Sequence, residues 1–115
     1  METKRVRRLG RGNLSFDARI DLHGMYQKEA HSRLLMFLRE ARARGYRNVL
    51  VITGKGRAGD RSNEPGREAP GVIRRNIRHW LNEPEFSEIV TALSSARPNH
   101  GGEGALYLQI RRVRD

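Results

Sequence analysis

Cysteine is absent from this 115-residue chain. That excludes disulfides, thiolate nucleophiles and cysteine-ligated zinc, and leaves any catalysis to other side chains or to backbone groups. No apolar run approaches the roughly 20 residues that cross a bilayer, and Met1 to Leu14 lacks the apolar core of a secretory signal. A soluble, cytoplasmic protein with no membrane partner is therefore expected. Acidic residues are scarce, 13 against 23 Lys and Arg, and the formal net charge of +10 favours polyanionic partners. Charge alone does not choose among DNA, RNA and anionic lipid. Aromatic residues are few; Phe16, Tyr26, Tyr46 and Tyr107 suit either stacking on unpaired bases or filling a core. His23, His31, His79 and His100 form neither an H-x-H nor an H-E-x-x-H pair, so no dedicated metal site is expected.

The length allows one domain with one core. Residues 1–16 carry Lys4, Arg5, Arg7, Arg8 and Arg11 with little apolar material, and read as a flexible basic arm ahead of a domain at 17–115. Ala18 to Leu22 alternates apolar and polar residues, as a short strand does. Between Gln27 and Arg44, Ala30, Leu34, Phe37, Leu38 and Ala41 fall on one helical face, and Gly45 supplies a stop. Asn48 to Ile52 is an aliphatic run suited to a central strand. Residues 54–71 are dense in Gly and Pro and read as a long loop. Val72, Ile73, Ile77, Trp80 and Leu81 mark a second helix ending before Pro84, and strands follow at Ile89 to Leu93 and Ala105 to Ile110. The order β-α-β-α-β-β predicts a two-layer α/β sandwich, a mixed sheet with both helices on one face. Its other face is expected to be partly solvated, or covered by the arm or a partner.

Three short glycine-bearing motifs border the apolar segments. In Asp21-Leu22-His23-Gly24, strand spacing sends the Asp21 and His23 side chains from one sheet face, where a neutral imidazole can accept a proton from an attacking hydroxyl and a carboxylate can orient it. The plainer alternative is that Asp21 or His23 caps the helix beyond. In Thr53-Gly54-Lys55-Gly56, the glycines let backbone N–H groups and the Lys55 ammonium approach an anion, or simply make a turn. This is not a nucleotide P-loop: Val49 stands where that pattern needs its first glycine, and Gly56 where it needs Ser or Thr. His100-Gly101-Gly102-Glu103-Gly104 can bring backbone close to a ligand, or serve as a hairpin connection. Arg57, Arg61, Arg67, Arg74, Arg75 and Arg78 suit either a phosphate-binding rim or a solvated face.

Taken in order, Ile20-Asp21-Leu22-His23-Gly24, Val51-Ile52-Thr53-Gly54-Lys55-Gly56, Gly71-Val72-Ile73-Arg74 and His100-Gly101-Gly102-Glu103-Gly104-Ala105-Leu106 resemble the Smr, or small MutS-related, domain family from about Ala18 to Arg112. The resemblance implies a fold similar to the C-terminal domain of translation initiation factor three, and nucleic-acid binding often accompanied by endonuclease activity on DNA or RNA. It places Asp21 and His23 at the reaction centre and makes Gly54, Lys55 and Gly56 a substrate-contacting loop. The expected function is thus endonucleolytic cleavage of RNA or nicking of DNA, with Lys55 stabilising phosphate charge and His100 as candidate general acid. Gly24, Gly101, Gly102, Gly104 and the arginines would line the nucleic acid. A magnesium ion enters the scheme if DNA is the substrate. The alternative is a non-catalytic module that binds nucleic acid or the ribosome.

Overall fold

The computed structural model describes residues 16–54 and 71–112. Strand β1 (Ala18–Asp21) leads into helix α1 (Gln27–Ala43) and strand β2 (Asn48–Ile52). Helix α2 (Val72–Trp80), the single turn α3 (Pro84–Ser87) and strands β3 (Val90–Ser95) and β4 (Ala105–Ile110) complete the domain. The sheet runs β1-β2-β4-β3, with β1 and β2 parallel and the other pairs antiparallel. The aliphatic run of β2 is central, as its composition requires. The two-layer mixed sandwich is as expected.

Helix α1 buries Ala30, Leu34, Leu38 and Ala41, one stripe at helical spacing. Its end is a Schellman arrangement: Gly45 N–H donates to the Arg42 carbonyl and Tyr46 N–H to that of Ala41, both at 3.0 Å. Helix α2 buries Ile73, Ile77 and Trp80 in the same way. Both helices pack on one sheet face, against Val49, Val51, Leu106, Leu108 and Ile110. The other face carries a smaller cluster of Leu50, Ala96, Ala105 and Tyr107, with Phe16 and Ile52 against it. Phe16, the last residue of the expected arm, therefore covers part of the helix-free face; residues 1–15 lie outside the described residues.

Two local features depart from expectation. Strand β3 begins one residue later than Ile89 and continues to Ser95, with a register irregularity between Val90 and Ala92. Pro84, read as a barrier after α2, is also the first residue of α3, where a missing N–H has no consequence. That turn inserts Phe86, fully buried, beneath His31, with ring centroids 5.0 Å apart. His31 also packs edge-on to Trp80 at 5.1 Å, and its Nε2 lies 2.8 Å from Glu83 Oε1. It is a structural histidine joining α1 to the α2-α3 corner. Replacing Phe86 with Ala should lower the unfolding free energy by about 3–5 kcal/mol, measured by urea denaturation, because the corner cannot collapse around the lost ring.

Candidate active site

The parallel strands β1 and β2 pair Asp21 with Ile52, and the antiparallel partner pairs Ile52 with Ala105. The carboxyl ends of β1 and β2 and the amino end of β4 are thus at one edge of the domain. In α/β sheets this is where ligands bind, outside the carboxyl ends of the parallel strands. Pairing continues one step, with Leu22 N–H donating to the Ile52 carbonyl at 2.8 Å. Beyond it the chain turns.

His23 is not in the strand, contrary to the strand spacing assumed for it; β1 ends at Asp21, and His23 is an exposed residue of the turn. Asp21 accepts a hydrogen bond on Oδ1 from the His23 backbone N–H at 3.0 Å. The carboxylate thereby fixes the main chain of this turn. It does not cap α1, whose N-cap, Tyr26, has no side-chain cap bond.

The second motif arrives under the first. Gly54 has φ of +90°, and a Cβ built there would stand 3.2 Å from His23 Cδ2 and 3.7 Å from His23 Cβ and Cγ. The imidazole therefore lies over Gly54, where a side chain would crowd the ring by a few tenths of an ångström and the positive φ favours glycine. The third motif is stitched to the second through one carbonyl: Gly104 O accepts from Thr53 N–H at 2.8 Å, Gly54 N–H at 3.1 Å and Thr53 Oγ1 at 3.3 Å. Thr53, 5 % exposed, is the one buried polar side chain among the described residues. Gly101, at φ +115°, lies so near the strand start that an added Cβ would come within 2.9 Å of Ala105 Cβ.

Their backbone donors are already engaged. Gly54 N–H donates to Gly104, Gly101 N–H to Pro98, Gly102 N–H to Arg97 and Gly104 N–H to Gly101. These glycines act by close approach and turn geometry, and the expected cradle of free amides is not formed by them. The outward-facing group at their junction is the His23 imidazole.

His100 sits in the turn before the third motif's glycines. Its Nδ1 lies 2.5 Å from the Tyr107 hydroxyl, and its ring packs edge-on to Phe16 at 5.0 Å and Tyr107 at 5.8 Å. Tyr107, read only as a core or stacking residue, is thus the hydrogen-bond partner of His100. The signal was its parity: it faces away from Leu106 and Leu108. Arg74 is half-buried and donates to the Ala105 carbonyl at 3.2 Å and to Ser95 Oγ at 3.5 Å, which pins the start of α2 to this same edge. Arg75 and Arg78 are exposed and line an open groove on α2. Lys55, Gly56, Arg57, Arg61 and Arg67 lie outside the described residues. Among the described residues no three His, Asp or Glu side chains are grouped to hold a metal ion, and no helix is long and apolar enough to cross a membrane.

A parallel β-α-β unit whose carboxyl edge carries an exposed histidine turn, packed against glycine loops from a neighbouring strand, defines a mixed-sheet α/β domain with these three motifs gathered at one edge. The chain belongs to the Smr domain family, whose model matches residues 20–111. It is 34 % identical over 106 residues to the probable DNA endonuclease SmrA of Escherichia coli strain K12, covering 92 % of this chain and 51 % of that protein. It is 27 % identical over 92 residues to endonuclease MutS2 of Lactiplantibacillus plantarum, covering 80 % of this chain and 10 % of that protein. The chain therefore spans about half of one of these relatives and a tenth of the other. Among solved structures, YdaL, a stand-alone small MutS-related protein from Escherichia coli, superposes with a TM-score of 0.67 at 32 % identity, covering 82 % of this chain and 64 % of that one. The Smr domain of Thermus thermophilus MutS2 gives 0.64 at 28 % identity, covering 82 % of this chain and 98 % of that one.

Changing Gly54 to Ala should displace the His23 ring, seen as altered imidazole chemical shifts, and add about 1–2 kcal/mol of backbone strain. The same change at Gly45, with φ +81° and nothing within 4 Å of an added Cβ, should cost similar stability and leave the His23 resonances in place.

Proposed function

We propose that this domain is an endonuclease that cleaves the phosphodiester backbone of RNA or DNA at the edge where His23, Gly54 and Gly104 meet. The single observation that carries this reading is the His23 imidazole held outward over Gly54 by the Asp21-capped turn. Membership in the Smr family, with relatives named as endonucleases, supports it. So does the net charge of +10, which draws a phosphate backbone to the surface.

With RNA, neutral His23 takes the proton of the ribose 2′-hydroxyl, whose oxygen attacks the adjacent phosphorus. The 5′-oxygen leaves with a proton from an acid, the role assigned to His100, and the product end is a cyclic phosphate. Asp21 acts as a positioning residue, holding the turn that aims the ring. Lys55, next in the chain after Gly54, supplies positive charge to the phosphate oxygens as negative charge builds there. With DNA, water must be the nucleophile. Asp21 Oδ1 is engaged by the His23 amide, so its other carboxylate oxygen would be the one to hold a magnesium ion beside substrate phosphates, and such an ion would supply an activated water.

His23→Ala should reduce cleavage of labelled RNA or supercoiled DNA by about 10²–10⁴-fold while binding is kept. Asp21→Asn, which keeps an acceptor oxygen for the turn, should retain more cleavage than Asp21→Ala. End-group analysis separates cyclic phosphate from hydrolytic products. A His23→Ala protein that cuts as fast as the parent refutes the assignment. Wild-type protein that binds these substrates and cuts none of them, with or without magnesium, is a binding module.

A further inference from the structure

A second concentration of positive charge lies at the other end of the sheet. Arg42 and Arg44 at the end of α1, Arg47 before β2, and Arg111 and Arg112 after β4 line one open groove with Tyr46. Among the described residues, Glu40 pairs with Arg44 at 2.9 Å, and Asp17 caps the backbone N–H groups of Arg47 and Asn48 at 2.7 and 3.2 Å. Five arginines thus line the groove, and the guanidinium–carboxylate pair among them is Arg44 with Glu40. Arg111 is fixed by donating to the Glu88 and Ser87 carbonyls at 3.1 and 3.3 Å. Arg42 Nε is buried and has no acceptor among the described residues. The negative end of the α1 dipole accounts for Arg42 and Arg44. It does not account for three more arginines arriving from two other segments, whose mutual repulsion an anion would relieve.

We infer that this arginine groove is a second contact for the phosphodiester backbone, engaged when a nucleic acid extends from the candidate active site along the sheet to its far end. This inference rests on the nuclease reading above. The two sites are separated by the length of β2, five residues, or about 17 Å at strand rise, roughly five steps of a duplex. Guanidiniums match phosphate oxygens in bidentate geometry, which a groove lined by arginine exploits. The remaining lining residues are Ala43, Gly45 and Tyr46, so the groove lacks the bulky aliphatic rim that would insert into a lipid surface.

The test compares the intact chain with the double variant Arg47→Gln/Arg112→Gln, at two exposed positions of the groove, and with Arg33→Gln/Arg39→Gln, exposed positions of α1 outside it. Both variants lower the net charge equally. Binding to a single strand of about 24 nucleotides should weaken about 5- to 10-fold in the groove variant, and the slope of log affinity against log salt should fall by about 1.4. A strand of about two nucleotides, too short to reach from the candidate active site to the groove, should bind it as it binds the parent, and the control variant should match the parent on both. Equal losses in the groove and control variants would show a net-charge effect and overturn the groove. Groove-dependent binding to phosphatidylserine vesicles, with unchanged binding to the long strand, would reassign it to a membrane surface and likewise refute the inference. If the parent binds neither strand, both this inference and the nuclease reading fall. If the parent binds and cuts while the groove variant is unimpaired, the groove alone falls.

Discussion

One backbone oxygen organises the edge of this domain where the three glycine motifs meet. The Gly104 carbonyl receives donors from Thr53 N–H, Gly54 N–H and the Thr53 hydroxyl, and so ties the exit of β2 to the entry of β4. A carbonyl has two lone pairs, and its approach by three donors requires the two backbones to lie very close. Side chains at the glycines would hold them apart. Once Gly54 is in place, its missing Cβ leaves the space that the His23 ring covers, and the Asp21 carboxylate completes the arrangement by capping the His23 amide.

The two faces of the sheet divide the work. The helix-covered face contains most of the apolar burial, from Leu34 and Leu38 on α1 to Ile77 on α2 and Leu106 and Leu108 on β4, and burial of that kind supplies most of the stability of a small domain. The helix-free face is thinner and contains polar chemistry: the Tyr107 hydroxyl against His100, and Phe16 closing over both. Functional groups can be placed at its edge because the core on the other side holds the strands without them. Arg74 connects the two regions, since its guanidinium fastens α2 to the Ala105 carbonyl at the head of β4. A residue read as one of several phosphate-binding arginines is therefore also a structural tie.

Much of the scaffold was legible in the chain. The limits of β2 and β4 were readable because each is an apolar run bounded by turn residues, and α1 because its buried stripe repeats at helical spacing and ends at glycine. Strand β3 was read less well: Thr91, Ala92, Ser94 and Ser95 are exposed, so it carries little apolar signal toward its end. Turn α3 escaped because four residues contain no period, and the buried role of Phe86 depends on His31 and Trp80, which are distant in sequence.

Local sequence determined the type of each main element, the family to which the chain belongs and the residue types capable of phosphodiester chemistry. These follow from periodicity, turn chemistry and motif order, which act over a few residues at a time. Tertiary structure alone decided that His23 stands in a turn over Gly54, that Asp21 holds its backbone, that the amides of Gly54, Gly101, Gly102 and Gly104 are occupied by backbone carbonyls, and that five arginines from separate segments share one groove. Those outcomes depend on which strand ends meet. Pairing between residues dozens of positions apart is set by the packing of the whole core, which no short window of sequence contains.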